Sequence, residues 1–156
     1  MAHVDLHDLN VLIVDDSRTA RKYLARCLSD LGVREVAQAE DGADAIDVLR
    51  SFAADIVISD LNMTPLDGIE FTRLLRNSED SPAPCLPIIM LTAEATRKQL
   101  NNALAAGVHS FLAKPVTAEK LRRHILHTMN TEYEFQKDGR NLRPVPCSAS
   151  PKAVAG

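Results

Sequence analysis

Five short apolar runs, each succeeded by a helical pattern, constrain this chain more than any other feature. The runs are VLIV (11–14), VAQA (36–39), DIVIS (55–59), PIIML (87–91) and SFLA (110–113), with VAQA the weakest. They are continuous rather than alternating, as strands buried on both faces are. Between them, apolar residues at helical spacing predict helices over 17–31 (Ala20, Leu24, Leu28, Leu31), 42–53 (Ile46, Leu49, Ala53) and 67–76 (Phe71, Leu74, Leu75). Two more are predicted over 94–106 (Leu100, Ala103, Leu104) and 117–129 (Leu121, Ile125, Met129), the last with Thr117 as N-cap. This alternation implies right-handed crossovers and a parallel sheet covered by helices on both faces, an α/β architecture.

Whole-chain properties exclude several classes of function. The 156 residues fit one domain with a real core. A net charge of −3 supplies no basic field for nucleic acid. No apolar run approaches the roughly 20 residues of a membrane span. The start, MAHVDLHDLN, lacks a secretory pattern, so a cytoplasmic location is expected. Cys27, Cys85 and Cys147 are scattered and odd in number, which argues against a disulfide framework or a zinc pair. NSEDSPAPCLP (77–87) reads as a loop. Residues 130–156, with prolines and no periodic apolar pattern, read as a flexible tail that includes Arg140 and Arg143. His124 and His127, one turn apart, read as a solvated helix face.

The residues at the end of each strong run carry the chemistry. VLIV leads to Asp15 and Asp16, IVIS to Asp60, IIML to Thr92 and FLA to Lys114. Ligands of open parallel sheets bind at the carboxyl ends of the strands. In the strand order 2-1-3-4-5 these residues line one sheet edge, at roughly 4.8 Å between neighbouring strands. Three carboxylates this close repel one another and call for a divalent cation. All-oxygen ligation favours Mg²⁺. A cation beside a carboxylate, faced by an ammonium and a hydroxyl, suits a phosphoryl group, and aspartate is an accepted nucleophile for one. Asp60 is therefore the expected site of phosphorylation.

These residues resemble the receiver domains of two-component response regulators, the CheY-like, flavodoxin-like (βα)5 fold with strand order 2-1-3-4-5. The pattern comprises Asp15–Asp16, Asp60 within DLNMTPLDG, Thr92–Ala93 and Lys114–Pro115. The resemblance implies a receiver over 9–129, after an N-terminal extension (1–8) and before the tail (130–156). It implies that Asp60 takes its phosphoryl group from a sensor histidine kinase or a histidine phosphotransfer protein. Asp15, Asp16, Asp60 and the backbone carbonyl of Asn62 would hold Mg²⁺, with Mn²⁺ an alternative. Lys114 would pair with the phosphate, and the Lys114–Pro115 bond is commonly cis in the family. Thr92 and Phe111 would form the switch that reshapes the face of helix 4, strand 5 and helix 5 for a downstream protein effector. Asn62 and Glu94 match the chemotaxis receivers at the positions lining the water path, which implies a short-lived phosphoform. Phe111 departs from the tyrosine of those receivers and removes a hydroxyl from the output. No fused effector domain is recognised, so output through a protein contact is expected.

Two other readings compete. One is a receiver-fold binding module that works without phosphorylation, disfavoured because the acids and the lysine are all present. The other is a haloacid-dehalogenase-type phosphatase, whose DxDxT motif DLNMT resembles. Asn62 stands where that chemistry needs an acid and cannot carry the proton, so no turnover of an external substrate is expected.

Overall fold

A computed structural model describes residues 3–139 and 141–147, apart from the Asp138 side chain. After a short 3-10 turn (Leu6–Asp8), the elements are β1 (Asn10–Val14), α1 (Arg18–Asp30), β2 (Glu35–Ala39), α2 (Gly42–Leu49), β3 (Ile56–Asp60) and α3 (Gly68–Asn77). They continue with β4 (Ile88–Thr92), α4 (Arg97–Ala106), β5 (Ser110–Ala113), α5 (Ala118–Met129), β6 (Tyr133–Asp138) and β7 (Asn141–Pro146). β1 to β5 form one parallel sheet in the order β2-β1-β3-β4-β5. This is the doubly wound flavodoxin-like arrangement.

Strand residues alternate between two apolar layers because successive side chains leave opposite faces. Leu12, Val14, Val57, Ile88, Met90 and Phe111 pack with Phe71 and Leu75 of α3 and with Ala45 and Leu49 of α2. Val11, Ile13, Ile56, Ile58, Ile89 and Leu91 pack with Leu24 and Leu28 of α1 and with Leu121 and Ile125 of α5. Burial on both faces explains why these strands read as unbroken apolar runs. The helices start where short polar side chains satisfy free amides. Ser17 accepts from the Ala20 amide, Thr117 from Lys120 and Thr96 from Gln99. Asp67 and Glu70 form a reciprocal capping box at α3. The Thr96 cap starts α4 at Arg97, later than the expected 94, and α2 stops at Leu49 rather than 53.

Two expectations are corrected. Part of the expected flexible tail is ordered: β6 and β7 pair antiparallel, with Phe135 opposite Pro144 and Lys137 opposite Leu142. Tyr133 packs edge-on against His109 with ring centroids 4.6 Å apart, and Phe135 lies over the Arg76 guanidinium at 5.1 Å. The hairpin is anchored by this burial. Arg143 sits exposed on β7, while Arg140 and residues 148–156 lie outside the described residues. His124 is not solvated either. It is 1% exposed, and its Nδ1 lies 2.9 Å from Ser110 Oγ, because it occupies the inner face of α5 with Leu121 and Ile125. The N-terminal extension also docks: Asn130 donates to the Val4 carbonyl and accepts from its amide. The cysteines are free, with Cys27 buried. No helix among the described residues is long and apolar enough to cross a membrane.

Candidate functional site

The carboxyl ends of β1, β3, β4 and β5 bring Asp15, Asp16, Asp60, Thr92 and Lys114 to one edge of the sheet. Asp60 is the last residue of β3 and 6% exposed, and its strand register places it opposite Leu91. Lys114 Nζ lies 3.0 Å from Asp60 Oδ1 and 3.7 Å from Asp15 Oδ2. One carboxylate oxygen from each of Asp15, Asp16 and Asp60 lies within 4.8 Å of the other two. Burial raises the Asp60 pKa above the ordinary carboxylate range. Lys114 pulls it down, and the charges of Asp15 and Asp16 push it up again.

Asp15 is fixed by its turn. Its Oδ1 accepts from the Ser17 amide at 2.8 Å, and its own amide donates to the Ala39 carbonyl at 3.1 Å. Among the described residues, buried Asp15 Oδ2 accepts no hydrogen bond, Lys114 Nζ standing 3.7 Å off. A buried anionic oxygen with no hydrogen bond, grouped with two further carboxylates, fits a hard divalent cation. Asp16 and Asn62 are exposed at this edge.

Thr92 is buried at the end of β4. Its hydroxyl lies 3.1 Å from the Glu94 carbonyl, accepts from the Glu94 amide at 3.2 Å and is 3.5 Å from Gln99 Oε1. Phe111 sits in the layer with Met90 and Ala103, 9% exposed. Glu94 is exposed in the loop before α4. The Lys114–Pro115 peptide is cis, as is Thr64–Pro65.

Several contributors are not apparent from motifs alone. Arg21 Nη1 donates to the Asp15 carbonyl at 2.7 Å and so ties α1 to the acidic turn; its place six residues on, within the first turns of α1, is the signal that could have found it. Gly68 packs its Cα against the Asp60 carbonyl so closely that a Cβ would stand 2.5 Å from that oxygen. The DG dipeptide suggests only a turn. A cleft of about 230 Å³ next to the site is lined by Tyr23, Leu24, Leu91 and Val116 together with Asp15 and Lys114. Tyr23 donates to the Val116 carbonyl at 2.6 Å across it.

A doubly wound sheet with an acidic cluster and a facing lysine at its carboxyl edge defines a receiver-type α/β domain. The chain belongs to the response regulator receiver domain family, whose sequence profile matches residues 11–126. It is 39% identical over 117 residues to the chemotaxis protein CheY of Pseudomonas aeruginosa, covering 75% of this chain and 93% of that one. It superposes on CheY4 of Vibrio cholerae with a TM-score of 0.71 at 33% identity, covering 78% and 98% of the two chains. The receiver domain of a sensor histidine kinase from Pseudomonas aeruginosa, described with a magnesium ion coordinated in its active-site cleft, matches at a TM-score of 0.66 and 32% identity, covering 77% and 95%. Receiver domains are phosphorylation-activated signalling modules of two-component systems that bind Mg²⁺ and interact with histidine kinases.

Proposed function

We propose that Asp60 is the phosphoacceptor of this receiver and that it takes the phosphoryl group from a phosphohistidine on a kinase or phosphotransfer protein. The observation that carries the reading is the position of Lys114 Nζ, 3.0 Å from Asp60 Oδ1, beside an acidic cluster in which one oxygen from each of three carboxylates lies within 4.8 Å of the others. Asp60 Oδ forms a bond to phosphorus in line with the breaking N–P bond, whose electron pair stays on the donor imidazole. Lys114 neutralises charge gathering on the phosphoryl oxygens. Asp15, Asp16, Asp60 and the Asn62 carbonyl would hold Mg²⁺, or Mn²⁺ in its place. Bound there, the ion supplies further charge neutralisation.

The phosphoryl group then adds about 1.5 to 2 negative charges at the sheet edge. The Thr92 hydroxyl leaves Glu94 and turns to the phosphate, and Phe111 moves with it, biasing the face built from α4, β5 and α5 toward binding a downstream protein. The site turns over no external substrate. Asn62 and Glu94 admit water to the acyl phosphate, so the phosphoform is short-lived. Loss of the label within minutes in Mg²⁺ buffer, read by intact mass, is expected; persistence for many hours would contradict it.

The test is incubation with Mg²⁺ and acetyl phosphate, then intact mass. One phosphoryl group is expected on the native chain and none on Asp60→Asn or without Mg²⁺. No addition, together with no beryllofluoride binding, would favour a binding module that works without phosphorylation.

A further inference from the structure

The helices are not held alike. α3 buries Phe71, Thr72, Leu75 and Arg76, and α5 buries Leu121, His124, Ile125 and Thr128, spread along their lengths. α4 buries only Ala103 and Ala106, both in its C-terminal part. Residues 93–98, ahead of and within its first turn, are exposed, and so are Leu100 (36%) and Leu104 (43%). Two alanines offer little interlocking, so the N-terminal half of α4 rests on the sheet without being keyed into it.

The C-terminal end is tied from two sides. Arg76 of α3 donates to the Gly107 carbonyl from Nε at 3.0 Å and from Nη2 at 2.8 Å, and to the Pro84 carbonyl at 3.0 Å. Phe135 of β6 covers its guanidinium. Asn141 of β7 donates from Nδ2 to the Ala105 carbonyl, one of the acceptors left free at a helix end. Its Oδ1 accepts from Asn77 Nδ2 at 3.1 Å, and Asn77 Oδ1 accepts from the Leu142 amide at 3.1 Å. Gly107 itself has φ +114, and a Cβ there would stand 2.8 Å from the Leu142 carbonyl. The hairpin lies beyond residues 11–126, the part of the chain that the family profile matches.

We infer that Arg76 and the β6–β7 hairpin fix the C-terminal turn of α4, so that the helix pivots about Gly107 when the phosphorylation site is loaded. Asn141 and Arg76 are positioning residues for that motion. The inference rests on the receiver reading above. A ten-residue helix is about 15 Å long, so a tilt of roughly 10° about its end carries the first turn by about 2–3 Å. The displaced surface is the Thr96–Leu100 end next to Thr92, while the hairpin contacts stay in place.

The test is residue-resolved amide hydrogen exchange on the full chain with Mg²⁺, with and without beryllofluoride, whose binding is monitored separately by its fluorine resonance. Exchange at residues 97–101 is expected to change by about fivefold or more, and at Gly107, Val108 and Leu142 by less than about twofold. Asn141→Asp keeps the acceptor but removes the donor to Ala105 and adds a negative charge at the helix C-terminus. With it, the beryllofluoride response is expected to extend to Gly107 and Val108. Asn77→Ala, which cuts the other arm, is expected to do the same. Thermal unfolding of each variant separates this from simple loss of stability. Bound beryllofluoride with a uniform response along α4, or variants that keep the native pattern, overturns the pivot alone. Absence of a bound fluorine resonance overturns the receiver reading and the pivot with it.

Discussion

The backbone amide of Lys114 donates to the carbonyl of Thr92 at 2.7 Å, so the ammonium and the hydroxyl of the site are carried on adjacent strand ends as one unit. The lysine is therefore placed by the sheet, not by its own flexible stem. Lys114→Met is expected to keep the fold and to slow labelling of Asp60 by acetyl phosphate by about 10²-fold, because a preorganised positive charge is lost where phosphoryl charge develops. A time course of intact mass reads it.

Asp60 is held at a sheet edge that disfavours its charge. Its pKa is raised, chiefly by burial, so the folded state holds the proton more tightly than the unfolded chain does. The contribution of Asp60 to stability is then greatest at low pH and declines as pH rises above the ordinary carboxylate value of about 4. Asp60→Asn is expected to unfold at a higher temperature than the native chain at pH 7 in metal-free buffer. The gap should close below about pH 4. Thermal unfolding at the two pH values measures it, and equal midpoints at pH 7 would refute the charge argument.

Gly68 has no room for a methyl group. A Cβ would stand 2.5 Å from both the Asp60 carbonyl and Met90 Sδ. The sulfur can move; the strand carbonyl cannot. Gly68→Ala is expected to cost about 2–3 kcal/mol and to lower the rate of phosphorylation as β3 is pushed from the site. Urea unfolding and acetyl phosphate labelling, taken together, test both halves of the statement.

His109 is buried under the hairpin, and its pKa falls to about 3 through burial, with the Arg76 charge adding to it. The folded protein keeps the ring neutral while the unfolded chain protonates it near pH 6.5. This contribution is thus complete above pH 6.5 and is lost progressively down toward pH 3, by about 1.4 kcal/mol per pH unit. His109→Gln is expected to flatten the stability profile between pH 6 and 4 by about that slope. Chemical unfolding at intervals across the range measures it.

The sheet order and the site edge were legible because strands buried on both faces write unbroken apolar runs and because each strong run ends on a chemical group. The hairpin was not. Tyr133 and Phe135 alternate as strand residues do, and Asp138–Gly139 is a turn signal, but Pro144 and Pro146 argued against a strand. Both sit on β7 two residues apart, so their missing amides face the same side, away from β6, where a two-stranded ribbon has no ladder to complete. His124 was misjudged because its neighbours Arg122, Arg123 and His127 make α5 look wet, whereas Leu121 and Ile125 set its inner face. The tie of Gln99 to the site depends on a side chain reaching from α4 to the end of β4, which spacing along one element does not reveal.

Arg76 is a cation buried to 3% exposure whose partners among the described residues are carbonyl groups and rings rather than a carboxylate. Ending a graft of this domain at residue 126, where the family resemblance stops, would strip Phe135 from that guanidinium and Tyr133 from His109. A chimaera joined there would inherit a partly uncovered cation at the edge of the sheet away from Asp60. The natural seam for transplanting this module lies beyond β7.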